Sequence, residues 1–151
     1  MSYKRNATIM GLVLLTSNNA LAHIPVEGMD SFYTGLLHPV LVPAHLLLLV
    51  AVGLFFGQQG QRKTEAALSI FAFATIAGLA TSWFFIGVEV EALILALSAA
   101  TGLLIAVNPD VKSLWCAAIG IFAGFSLGVD SAQDTLSGIE KFVTLFGSAV
   151  A

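Results

Sequence analysis

The chain has 151 residues, 58% of them hydrophobic and only 10% charged, with a formal net charge of −3. Ordinary soluble domains carry about 25% charged residues, so this composition excludes one. Six Lys and Arg with no basic patch and no Gly-rich phosphate loop exclude a nucleic-acid or nucleotide binder. The single cysteine, Cys116, excludes an internal disulfide and a Cys-based zinc site.

Residues 1–22 read as a secretory signal peptide. Lys4 and Arg5 form the positive region and Ala7 to Leu15 a short apolar core, and Ala20-Leu21-Ala22 has the small-x-small cleavage pattern. Cleavage after Ala22 makes His23 the mature N-terminus, where a free amine beside an imidazole is a ready metal-chelating pair; an exposed terminal His without a ligand role stays open. Residues 23–33 form an extracytoplasmic lead-in carrying Glu27 and Asp30, and residues 34–151 the transmembrane helical domain.

The apolar runs predict an all-α fold, a polytopic transmembrane helix bundle with about four full spans. Phe32 and Tyr33 mark an interfacial belt, and the first span runs from about Thr34 to Gly57. A polar loop with Arg62 and Lys63 follows. Thr64 has the character of an N-cap, with Glu65 in the first turn of a second span over about 65–86. The third span covers about 91–107. Asn108-Pro109-Asp110 is read as the cap of the fourth, which runs to about Val129. In that fourth span Gly120, Gly124 and Gly128 share one face, a spacing that lets two helix backbones approach closely, and Ala74-x-x-x-Gly78 is a weaker version in the second. Phe142 to Ala151 is apolar but only half the length of a span, compatible with an interfacial, re-entrant or truncated segment.

Arg62, Lys63 and Lys112 fall in loops on one side, which the positive-inside rule makes cytoplasmic. The expected location is the bacterial inner membrane with the mature N-terminus periplasmic. The outer side then collects Glu27, Asp30, Glu89, Glu91, Asp130, Asp134 and Glu140, against Lys141. An acidic mouth concentrates cations, although outer loops also become acidic simply because the cations stay inside.

The chemistry concentrates in the first span, where His38 and His45 are interrupted by Pro39 and Pro43. Ionisable side chains at membrane depth are costly and mark functional sites by default. Seven residues of spacing put both rings on one face, but roughly 10 Å apart along a straight axis, too far for one metal ion to reach both. Each proline removes an amide hydrogen, which bends the helix and frees the carbonyls of Gly35 and Pro39. Such backbone survives in a membrane only where protein buries it or it lines a wet cavity. The reading is a divalent-cation path, with His38 about a turn inside the outer surface and His45 near mid-membrane. Imidazole suits nickel, copper and zinc. The competing reading of each histidine is a hydrogen-bonded packing residue.

His38-Pro39 followed by His45, opening the first span after a leader ending Ala-His, resembles the HupE/UreJ family of small membrane proteins linked to hydrogenase and urease maturation. Gly78, Val88-Glu89 and the Ser98/Gly102 helix are similar to its second and third spans. The resemblance implies a nickel or cobalt permease. Its first-span motif ends Asp-His, and that Asp is Ala44 here; the histidines of its fourth-span motif are absent from 122–133. The resemblance therefore leaves His23, His38 and His45 as ligands, with Asp130 as a substitute for a lost one. The expected function is binding or transport of a divalent transition-metal ion, nickel or cobalt by resemblance with copper compatible. No cofactor is expected to be tightly bound.

The alternative is a non-transporting accessory or scaffold subunit for a metalloenzyme or a larger transporter. Expected partners are the lipid bilayer, the metal ion, a metalloenzyme maturation system and further copies of the chain, since four helices enclose little space. No nucleophile–base pair points to an enzyme, and histidines on a single span do not suit bis-His haem.

Overall fold

The computed structural model describes residues 31–84, 90–131 and 138–150. Among them the chain is helical: α1 (Ser31–Leu41), α2 (Pro43–Gln58), α3 (Gln61–Thr81) running into a 3-10 turn (Ser82–Phe84), α4 (Glu91–Val107), α5 (Ser113–Asp130) and α6 (Gly138–Val150). The expected leader over 1–22 and the residues His23, Glu27, Asp30, Glu89 and Asp134 lie outside the described residues.

By length and composition α3 and α5 are each able to cross a membrane, and α1 with α2 makes a third span if the pair, bent by 61°, is counted as one. α4 is apolar but has 17 residues, about 26 Å of helix against a hydrocarbon core of about 30 Å. The protein is thus an all-helical membrane protein with two to three candidate spans among the described residues. Phe73, Leu103 and Phe122 lie exposed on its outward faces, as lipid contact requires.

Two boundaries differ from the sequence reading. Thr64 does not cap α3, which starts three residues earlier behind Gly60, a glycine with φ 85°. The Thr64 hydroxyl instead donates to the Phe56 and Gly60 carbonyls, tying α3 to the end of α2. Asn108 does not open α5. It closes α4 in the left-handed conformation, φ 48°, with its N–H donating to the Leu104 carbonyl, a C-terminal role that Asn tolerates because its side chain bonds locally.

The helices α2 to α5 run alternately up and down. At one end Gln59 joins two loops: its Nε2 donates to the Pro109 carbonyl at 3.1 Å and its Oε1 accepts from the Val111 N–H at 3.0 Å. Lys63 pairs with Asp110 at 2.6 Å beside them. Asp130, the last residue of α5, marks the opposite end. The core between them is Leu48, Val52, Phe55 and Phe56 of α2, Ile94 of α4, Ala67 of α3 and Cys116, Ala123 and Leu127 of α5.

Packing goes by pairs. On α5 a Cβ at Gly120 would stand 3.1 Å from the Ala67 carbonyl oxygen, and at Gly124 and Gly128 it would collide with the carbonyl oxygens of Phe71 and Thr75. Gly78 meets the Phe125 carbonyl from the α3 side. Backbone thus touches backbone along the whole α3–α5 contact, where van der Waals packing rather than apolar burial drives association. The second pair, α1 with α6, uses the same device. A Cβ at Gly35 would collide with the Thr144 carbonyl oxygen, and one at Gly147 with that of Phe32. The 13-residue α6 therefore neither spans alone nor stands free: it is the partner of α1.

Candidate functional site

The break between α1 and α2 builds the site. Val42 has extended backbone, φ −85° and ψ 114°, and Pro43 takes the first helical position of α2, where its missing N–H is no loss. Pro39 lies inside α1 near its end and leaves the Gly35 carbonyl without its helical donor. Of the two fates open to such a carbonyl, burial by protein or a wet cavity, the first holds here. It accepts a hydrogen bond from the Ser148 hydroxyl of α6 at 3.1 Å, and α6 thereby repairs what Pro39 removes.

His38 closes α1 and His45 lies in the first turn of α2, so the 61° bend folds one over the other. Their ring centroids are 5.0 Å apart with an interplanar angle of 78°. The roughly 10 Å of a straight helix, and with it the conclusion that one ion cannot reach both, do not hold at this break. Both residues are buried, His45 completely. Nε2 of His45 lies 2.7 Å from Oδ2 of Asp130, and Nδ1 of His45 is buried with no hydrogen-bond partner.

The contact with Asp130 also sets the level of the site along the bundle. His45 lies at the level of Asp130, the terminal residue of α5, and α2 alone covers the distance from there to the Gln59 loop, about 24 Å by its sixteen residues. The pair of histidines therefore sits at the Asp130 end of α2 to α5 and at the midpoint of the broken α1–α2 pair.

Among the described residues no group of three or more His, Cys, Asp and Glu side chains is arranged to hold a metal ion. What the fold assembles is two imidazoles, one of them engaged by a carboxylate. Of the acidic residues assigned to the outer side, Glu91 opens α4 and Glu140 lies exposed in the first turn of α6. Lys141, assigned there as the opposing cation, is buried. At the far end an open depression of about 580 Å³ is lined by Gln59, Arg62, Lys63 and Ser113, among others, and holds none of the histidines.

Sequence reasoning weighed Asp130 only as a replacement ligand and missed its contact with His45, because a separation of 85 residues leaves no local trace. It named Gly35 only for its freed carbonyl and missed the close approach to α6 there, together with Gly147 and Ser148. The small residues at 147 and 148 in an otherwise apolar segment are the signal that could have found them.

A model of the HupE / UreJ protein family matches residues 11–151 of the chain. No match was found among curated proteins or among solved structures.

Proposed function

The chain belongs to the HupE/UreJ family, membrane proteins of nickel and cobalt handling in accessory or transport roles, and from that premise we propose that it passes a divalent transition-metal ion across the bacterial inner membrane, with His38 and His45 as the first holding point. The observation that carries this reading is the 5.0 Å separation of the two rings. A metal–imidazole bond is about 2.0–2.1 Å and a ring nitrogen lies about 1.1 Å from its centroid, so two imidazoles on one tetrahedral ion have centroids roughly 5 Å apart. The spacing suits a shared ion.

The donor type suits nickel, cobalt and copper better than magnesium or calcium, which prefer all-oxygen shells. Two imidazoles, with water completing the shell, also make a weak site, and a conducted ion must leave as readily as it binds. Arg62 and Lys63 lie at the Gln59 end, and the positive-inside rule puts that end in the cytoplasm. The histidines then lie on the periplasmic side, where His23, Glu27 and Asp30 would collect the ion ahead of them.

The test is cellular uptake of nickel and cobalt by the wild type, His38→Ala and His45→Ala at matched membrane abundance. Each variant should lose most of the uptake. Unchanged uptake in both overturns the transport reading and leaves an accessory role.

A further inference from the structure

Asp130 engages one nitrogen of His45 and leaves the other exposed to nothing. The carboxylate oxygen stands 2.7 Å from Nε2, with the His45 side chain fully buried and that of Asp130 9% exposed. A carboxylate that is ionised only accepts hydrogen bonds, and with Asp130 in that form the proton of this contact is on Nε2. A neutral imidazole has one N–H, and placing it at Nε2 makes Nδ1 the nitrogen with the lone pair. Nδ1 is buried and has no hydrogen-bond partner. Buried polar atoms in that condition are rare and call for an explanation. Apolar packing does not supply one, since a packing histidine has both nitrogens satisfied.

We infer that Asp130 is a positioning residue and not a ligand: it holds His45 as the Nε2–H tautomer and so presents the Nδ1 lone pair to the metal cargo. This rests on the transport reading for the identity of the cargo, and on the geometry alone for the tautomer. Carboxylates behind ligating histidines orient the ring and raise its basicity. With the carboxylate behind the ring, the protein donors to the ion are nitrogen only. That excludes the hard, oxygen-seeking cations abundant in cells. A carboxylate in direct contact with the ion would weaken that exclusion.

The experiment uses the full chain with ¹⁵N-labelled histidine in lipid nanodiscs. Long-range ¹H–¹⁵N correlations read the tautomer of each ring, and His45→Gln assigns the His45 signals. In the metal-free wild type His45 should be the Nε2–H tautomer. Asp130→Leu should lose that preference and Asp130→Glu should restore it. Zn²⁺, a diamagnetic probe, should then shift Nδ1 of His45 and leave Nε2 protonated. Asp130→Asn should weaken Zn²⁺ binding about 10- to 100-fold, the usual loss for an outer-shell partner. An Nδ1–H tautomer in the wild type overturns the inference, and so does Zn²⁺ bound through Nε2. If the Asp130 variants do not fold, the wild-type tautomer and the Zn²⁺-shifted nitrogen still decide. A wild type that shows the Nε2–H tautomer but in which Zn²⁺ leaves Nδ1 of His45 unshifted overturns the presentation of that lone pair to a metal, while nickel and cobalt uptake by His38→Ala and His45→Ala decides the transport reading separately.

Discussion

Nε2 of His45 and Oδ2 of Asp130 meet at 2.7 Å across 85 residues of sequence, joining the first turn of α2 to the last residue of α5. The contact ties the broken helix to the glycine-seamed α3–α5 pair. It fixes the end at which the histidines lie, and it leaves His38 on a separate short helix whose position depends on the break and on α6.

The break is testable through Pro43. In Pro43→Ala the new N–H can donate to the Pro39 carbonyl, and α1 and α2 should merge. Spin labels at Tyr33 and Leu54, both exposed, should move apart by about 4 Å as the 61° bend straightens. Metal uptake should fall by at least the roughly 10-fold that loss of an orienting partner costs. An unchanged label distance would show that Val42 keeps the break without Pro43.

The glycine seam predicts a contrast between two glycines. Gly124 abuts the Phe71 carbonyl, whereas a Cβ at Gly102 would meet nothing within 4 Å. Overpacking costs about 1–3 kcal/mol or more when neighbours cannot yield, and backbone yields least. Gly124→Leu should therefore lower the thermal midpoint in detergent by many degrees or prevent folding, while Gly102→Leu should be near neutral. Equal effects would discount the seam.

At the other end, Gln59 should outweigh the ion pair beside it. Lys63–Asp110 is short, but Asp110 is 88% exposed, and exposed pairs contribute about 0–1 kcal/mol. Gln59 is buried and satisfies two backbone groups, and each group left unpaired costs about 1–3 kcal/mol. Thermal unfolding should show Gln59→Leu destabilised well beyond Asp110→Asn.

Ser148 tests the role of α6. Ser148→Ala leaves the Gly35 carbonyl, already deprived of a donor by Pro39, without its bond, a loss of about 1–3 kcal/mol. Hydrogen exchange over 138–150 should quicken while α3 and α5 stay protected. Uptake should weaken as well, since α6 holds the helix that carries His38. Unaltered exchange would mean that Gly35 and Gly147 hold the pair unaided.

Read alone, the sequence determined what depends on composition and near neighbours. The apolar runs and scarce charge establish a helical membrane protein, the glycines at 120, 124 and 128 announce a close helix contact, and the prolines at 39 and 43 announce a break. His38 and His45 stand out because charge is scarce around them. Which chain segments the close contacts join, and how sharply the break turns, depends on surfaces distant in sequence. Only the tertiary structure brought α6 onto α1, gave the Gly35 carbonyl to Ser148, set the two rings 5.0 Å apart and carried Asp130 to one of them. Spacing along a chain measures an unbroken helix; at a 61° turn between packed partners, distance is decided by what the two halves lie against.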